Sequence, residues 1–534
     1  MNNNRPQIFI YDTTLRDGSQ GEGISLSISD KLKIAARLDL LGVHYVEGGW
    51  PASNPKDLEF FKEMARKPLS RAKLTAFTST CRPGGRASDD FNLAAVVETG
   101  VKAAAVVGKS WDFQVTEALE TSLEENLRMV GDSIAWLKQQ GIEVIFDAEH
   151  FFDGYRANPG YALDVLKAAS TAGAGWLALC DTNGGTLPWQ IEEVIGVVRA
   201  TVNTPLAIHA HNDGGLAVVN TLAAVRAGVT QVQGTLNGYG ERCGNANLCT
   251  VIPNLELKMG YPCLGKKNLA HLTEVSHFVS EVANMPHYNQ QPFVGNAAFA
   301  HKGGIHVSAV LKNPETYEHI SPESVGNRRR VLVSELSGVS NLKHKAQEFG
   351  LDLSEFTDEG RQAIEHIKRL EHEGYQFEGA DASLELVLLK ALGRYREFFC
   401  LENLKVLVDK KGSEPFNSEA TVKINVKVTN ETVHTAAEGD GPVNAMDNAL
   451  RKALGEIYPC IRDFHLTDYK VRVVDETEGT AATVRVLIET SDQTDSWSTV
   501  GVSENIIEAS FKALMDSFNY ALLKRSGDGR KRLN

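Results

Sequence analysis

Ile8-Phe9-Ile10-Tyr11 runs straight into Asp12-Thr13-Thr14-Leu15-Arg16-Asp17-Gly18-Ser19-Gln20, a short β-rich stretch that ends in a cluster of polar and charged side chains. The same pattern repeats outward along the chain. The amphipathic segment Ser29 to Leu41 opens on Ser-Asp and closes on Gly42, as a helix with a glycine terminator does. Val43 to Glu47 then reads as a second strand. Further runs at Lys73 to Phe77, Ala103 to Val107, Glu143 to Asp147, Trp176 to Cys180, Leu206 to His209 and Gln231 to Gly234 bring the number to eight, with helical segments such as Thr121 to Gln140 between them. Eight strand and helix alternations in about 280 residues predict an α/β fold of the (β/α)8 type, a TIM barrel, whose usual size is about 250 residues. A doubly wound sheet is the alternative, but no glycine-rich dinucleotide fingerprint follows the first strand to favour it.

The chain has 534 residues, 42% of them apolar, which allows three or four domains of roughly 100 to 200 residues each. Its 55 Lys+Arg against 68 Asp+Glu leave a net charge of −13. No basic footprint displaces phosphate counterions, so a general nucleic-acid binder is excluded. No apolar run approaches the ~18 residues of a membrane span, and Met1 to Pro6 lacks the apolar core of a secretory signal. A cytoplasmic protein without membrane contact is expected. Seven sparse cysteines suit reduced thiols; Cys243 and Cys249, with five residues between them and no second pair, make a poor metal pair.

The barrel is expected over 1–285. A helical connector follows over 286–400, rich in Gly, Ala and His from Asn296 to Asn313 and punctuated by Pro314 and Pro322. Within it, 342–399 carries Ile364, Ile367 and Leu370 at helical spacing, which reads as a packing face. The remainder, 401–534, holds an internal repeat. Alternating Val422 to Val428 leads through Gly439-Asp440-Gly441-Pro442-Val443-Asn444 to a helix ending at Leu454; alternating Val484 to Glu489 leads through Trp497 to Ser503 to a helix ending at Leu523. Two strand-strand-helix repeats predict an α+β module that binds a ligand between its halves or pairs with another copy.

In a barrel the chemistry sits at the C-terminal tips of the strands, and here the tips are rich in ligands. His209 and His211, two apart at the end of the seventh strand, point the same way, as two ligands of one metal require; a packed histidine pair is the other reading. Asp17 at the first tip and Asn245 after the eighth strand can approach the same point, because first and eighth strands are neighbours in a closed barrel. Two imidazoles with two oxygen donors leave open positions on a divalent ion, the arrangement of a Lewis-acid catalyst. Arg16 suits an oxyanion or enolate, or is a plain surface ion pair. Glu149 serves as base, orients one, or is structural. Thr182 offers a hydroxyl to a small carboxylate, or caps the helix before Pro188.

Leu15 to Gln20, His209 to Gly214 and Gly240-Glu241-Arg242-Cys243-Gly244-Asn245 together resemble the metal-dependent barrel family of isopropylmalate, homocitrate and citramalate synthases and related acyl-CoA lyases. The resemblance continues through Gly304-Ile305-His306 and Thr316-Tyr317-Glu318 into the tail at Gly439 to Asn444, which is similar to the regulatory domain of isopropylmalate synthases. Lyases resemble only the barrel part. Glu47-Gly48-Gly49-Trp50-Pro51, Asn54 to Asp57 and Asp147 to Gly154 look most like the citramalate-forming branch. The resemblance implies a Claisen-type condensation of acetyl-CoA with pyruvate, with a divalent ion (Mn, Mg, Zn or Co) on Asp17, His209, His211 and Asn245. It implies Arg16 and Thr182 on the substrate, and Glu149, His306 and Tyr317 as further catalytic groups, with His301 able to exchange with His306. A homodimer and an isoleucine effector at the C-terminal domain are likewise implied. The alternatives are a 2-isopropylmalate synthase acting on 2-oxoisovalerate, or a lyase.

Overall fold

The computed structural model describes residues 5–333, 339–351, 357–413, 415–474 and 482–526. Parts of the expected connector (334–338 and 352–356) and of the C-terminal module (414, 475–481 and 527–534) lie outside the described residues.

Every one of the eight runs is a strand: β1 (Phe9–Asp12), β2 (Tyr45–Gly49), β3 (Lys73–Ser79), β4 (Ala103–Lys109), β5 (Glu143–Glu149), β6 (Trp176–Asp181), β7 (Leu206–Ala210) and β8 (Gln231–Gly234). They pair in chain order, all parallel, and β1 closes the ring by pairing with β8 as well as β2. Closure removes the doubly wound alternative. Several strands run one or two residues further than their apolar stretch, because polar tip residues stay in the ladder: Lys109, for example, is the register partner of Glu149. Alternation divides the side chains between two cores. Ile8, Ile10, Val46, Phe146 and Ile208 pack outward against the helices, while Tyr11, Tyr45, Phe77, Ile145 and Trp176 fill the barrel.

The first long helix, Ile28–Leu41, starts one residue earlier than the expected Ser29. Ser27 and Asp30 form a reciprocal capping box, which satisfies backbone donors a helix beginning at Ser29 would have to place elsewhere. Its end is as expected, with Gly42 in the left-handed region at φ 88°.

The described chain divides into two compact units, one of 1–299 with 319–329, the other of 300–318 with 330–534. In the second, the short strands β9 (Ala300–His301) and β10 (Arg330–Val331) pair in parallel. Ile364 and Ile367 from the helical connector share one core with Val422, Ile424, Val486 and Ile488, so the helical face is indeed a packing face.

The repeat is present and larger than two strands and a helix. β11 (Phe399–Asp409), β12 (Asn417–Val426) and β13 (Glu431–Gly439) form one antiparallel sheet ahead of the helix Pro442–Leu454. β14 (His465–Val473), β15 (Val484–Ser491) and β16 (Ser496–Ser503) form another ahead of Ile506–Arg525. Each leading strand carries a register irregularity at a corresponding place, Leu401/Asn403 and Leu466/Asp468. The irregularity breaks the period of two that reveals a strand in sequence, which is why β11 and β14 are harder to read than their neighbours.

Candidate active site

Six of the residues singled out from sequence, Arg16, Asp17, Glu149, Thr182, His209 and His211, line one cavity of about 550 Å³ at the barrel mouth. His209 is the penultimate residue of β7 and His211 follows the strand, so the alternation aims both rings inward, with centroids 5.3 Å apart. Asn245 reaches the group on the loop after β8, bridged to His211. Two glycines shape that loop. Gly244 has φ 82°, and a Cβ there would fall 2.0 Å from the Gly238 carbonyl oxygen; at Gly240, φ 152°, it would fall 2.2 Å from Asn245 Oδ1.

Asp17 Oδ2 lies 3.4 Å from His209 Nε2, and Asn245 Nδ2 stands between them, 3.3 Å from the carboxylate oxygen and 3.2 Å from the imidazole. On its other side His209 Nδ1 donates to Gln233 Oε1 at 2.9 Å, which leaves the Nε2 lone pair facing Asp17 and Asn245. Two buried polar atoms in this group have no hydrogen-bond partner, His211 Nδ1 and Asn245 Oδ1. Among the described residues no three His, Cys, Asp or Glu side chains form a metal-holding group on their own. Arg16 is paired with Asp17 Oδ1, and the fourth donor, Asn245, is an amide. Buried atoms left without partners are the expected mark of a group that a ligand completes, and two nitrogens with two oxygens suit a divalent ion. Burial alone would raise the Asp17 carboxyl, but Arg16, His209 and His211 outweigh it and hold it below the usual range. Burial, helped by His209, pushes His211 down to about 4, which keeps the ring neutral at pH 7.

Arg16 is no surface ion pair. Its guanidinium lies 3.9 Å from the centroid of Phe77, bonds Glu47 Oε2 at 3.2 Å, and leaves Nε buried without a partner. Burial disfavours its charge, but Asp17 and Glu47 outweigh that and keep it cationic. Glu149 is ion-paired with Lys109. The Thr182 hydroxyl accepts from the His150 backbone N–H at 2.8 Å, at a residue held at φ 56°. The helix at Pro188 starts from Leu187 with no side-chain cap bond, so the capping role falls away.

His306 and Tyr317 belong to the second compact unit. There they stand together, ring centroids 4.3 Å apart, both exposed. His301 is engaged differently: its Nε2 lies 3.2 Å from Glu318 Oε1 and its side chain is 11% exposed. Of the two histidines, His306 is the one presented to solvent.

Three residues in and beneath the mouth were given no role from the sequence. Lys109 ends β4 and could have been found by the strand-tip rule. Glu47 is fully buried beneath Arg16. Asp147 lines the cavity with its carboxyl pushed up to about 8, first by burial and then by Glu47. The two carboxylates act through neighbours from other strands, which no local pattern reveals.

A closed parallel barrel with buried imidazole, carboxylate, amide and guanidinium groups at the strand tips defines a (β/α)8 enzyme. A family model described as HMGL-like matches residues 7–279. One described as homocitrate synthase post-HMGL domain-like matches 293–375, and one described as the LeuA allosteric (dimerisation) domain matches 378–522. The chain belongs to the HMGL-like family, and within it to the (R)-citramalate synthases. It is 52% identical to the (R)-citramalate synthase of Aquifex aeolicus, over 98% of this chain and 99% of the relative. It is 53% identical to that of Geobacter sulfurreducens, over 96% and 97%. A 2-isopropylmalate synthase of Methanocaldococcus jannaschii is 32% identical over 97% of this chain and 95% of the relative.

Proposed function

We propose that the chain joins acetyl-CoA to pyruvate in a Claisen-type condensation and hydrolyses the resulting thioester to (R)-citramalate and CoA. The observation that carries this reading is end-to-end likeness to (R)-citramalate synthases at 52% and 53% identity, against 32% to an isopropylmalate synthase.

Asp17, His209, His211 and Asn245 would hold a divalent ion, which when bound supplies Lewis-acid polarisation of a 2-oxo acid. In this reading the surrounding side chains take the following roles. Thr182 orients the acceptor carboxylate from the β6 tip. Arg16, kept cationic and desolvated over Phe77, stabilises the negative oxygen that develops at the keto carbon. Glu149 takes part in removing the proton from the acetyl methyl group, with Lys109 fixing its carboxylate. His306 and Tyr317 form a further catalytic pair in this reading, and His306 rather than His301 presents its ring to solvent.

In the C-terminal module a cavity of about 660 Å³ is lined by Val443, Asn444, Asp447, Arg451, Phe464 and Tyr469. Asp447 Oδ1 is buried there without a partner, an acceptor suited to an α-ammonium group, and the apolar lining suits a branched side chain. We read it as the effector site, with isoleucine as end product of the route that citramalate feeds. Leu407 and Val408 on β11, and Val471 and Val473 on β14, are 42–52% exposed. These apolar edge positions support pairing of two copies into a homodimer. Among the described residues no helix is long and apolar enough to cross a membrane. The reading keeps three functional parts, 1–285, 286–400 and 401–534.

CoA release by purified protein, offered pyruvate and 2-oxoisovalerate separately, tests the reaction. Clear preference for pyruvate is expected; preference for 2-oxoisovalerate would replace this reading with the isopropylmalate one.

A further inference from the structure

Trp50 follows β2 and lines the catalytic cavity. Its indole meets Phe77 edge to face, with centroids 5.3 Å apart and planes at 74°, and the face of Phe77 carries the Arg16 guanidinium at 3.9 Å. Indole, phenyl ring and guanidinium therefore form one continuous wall that ends at the group facing the developing oxyanion. The alkyl substituent of a 2-oxo acid is attached to that same carbon.

The backbone that presents Trp50 is held by machinery with no other evident task. The Trp50 backbone N–H donates to Asp57 Oδ2 at 2.9 Å. Asp57 Oδ1 pairs with Lys31 Nζ at 2.5 Å, and Lys31 Nζ donates to the Gly48 carbonyl at 3.0 Å. Both partners are buried, Lys31 at 2% exposure and Asp57 at 7%. Burying such a pair carries a large desolvation penalty, and here both charges hold the backbone on either side of Gly49. Gly49 itself has φ 138°, and a Cβ there would lie 2.3 Å from Asp57 Oδ2, so only glycine allows the carboxylate this close. The indole Nε1 is buried without a partner. Trp50 is thus aimed by its backbone and by Phe77, not by a hydrogen bond of its own ring.

We propose that Trp50 is a specificity-determining residue. Its indole fills the part of the cavity that the larger alkyl group of 2-oxobutanoate or 2-oxoisovalerate would need, and so restricts the acceptor to pyruvate. The inference rests on the reading of this cavity as a 2-oxo acid site. One methylene in an apolar pocket discriminates by about 10- to 200-fold, a range within reach of trimming one ring.

The test is kcat/KM for pyruvate, 2-oxobutanoate and 2-oxoisovalerate in the wild type, Trp50→Leu and Trp50→Phe, with thermal unfolding to confirm folding. Trp50→Leu should raise the ratio of the larger acids to pyruvate by about tenfold or more, and Trp50→Phe should shift it the same way by less. If Trp50→Leu does not fold, the Trp50→Phe ratios decide. Equal losses on all three acids, with ratios unchanged in a pyruvate-selective background, would overturn this inference alone. A wild type that favours 2-oxoisovalerate would overturn it together with the proposed reaction.

Discussion

Lys109 and Glu149 face each other across neighbouring barrel strands: they are register partners at the ends of β4 and β5, and the ammonium is paired with Glu149 Oε2. The pairing fixes the carboxylate at the cavity mouth, where the proposed proton abstraction from the acetyl methyl group would use it. Glu149→Gln keeps size and loses proton affinity, and should lower kcat by about 100-fold or more with a smaller change in the KM for pyruvate. Lys109→Met should lower kcat by a smaller factor, since the base remains but is no longer held. Steady-state CoA release measures both, and a Glu149→Gln enzyme with near-normal kcat would remove Glu149 from the chemistry.

The two unpartnered atoms beside Asp17, on His211 and Asn245, lead to a metal-binding prediction independent of turnover. Protein stripped with chelator should regain one divalent ion per chain by elemental analysis and gain thermal stability as the ion is added. His209→Ala and His211→Ala should each abolish that gain. Gln233→Leu should weaken binding by roughly 10- to 100-fold, because Gln233 fixes which nitrogen of His209 carries the lone pair. A wild type that shows no thermal response to Mn, Mg, Zn or Co would count against the donor set.

The barrel was legible because most strands hold a short apolar run that packs on both faces, and because they pair in chain order. His209, His211, Asp17 and Arg16 were legible for a related reason: strand tips are short, and polar residues there stand out against apolar neighbours. The roles of Glu47, Asp147 and Gln233 could not be read locally, because their partners come from elsewhere in the ring: Glu47 meets Arg16, and Gln233 meets Asp147 and His209. β11 and β14 were missed because a register irregularity and mostly exposed side chains erase the alternation. The pairing of His306 with Tyr317 depends on the turn between Lys312 and Thr316, and spacing alone does not place two rings 4.3 Å apart.

Asp12 gives the barrel a pH-dependent stability of defined sign. Burial pushes its carboxyl up to about 7, despite bonds from the Thr14 backbone and hydroxyl. Between about pH 4 and 7 the unfolded chain has lost a proton that the folded chain keeps, so stability falls as pH rises through that window and levels off above it. Asp12→Asn removes this contribution, while Asp147, also raised, leaves part of the slope. The urea midpoint of the variant should therefore decline less steeply than the wild type between pH 4 and 7. An unchanged slope would mean that Asp12 is ionised in the folded barrel.

Asp447 has one oxygen bonded to Arg451 Nε at 2.7 Å and the other buried without a partner in the C-terminal cavity. An amino-acid effector would complete it with its ammonium group, a charge-assisted bond worth roughly 1.5–3 kcal/mol, or about 10- to 150-fold in affinity. Asp447→Asn keeps the shape of the cavity and removes the charge. The isoleucine concentration that halves the variant's own uninhibited rate should rise at least about tenfold. Calorimetric titration of isoleucine into the same protein should show the matching loss of affinity. Inhibition at the wild-type concentration would place the effector elsewhere in the module, and the absence of isoleucine binding to the wild type would leave the repeated sheets with pairing of two copies as their main task.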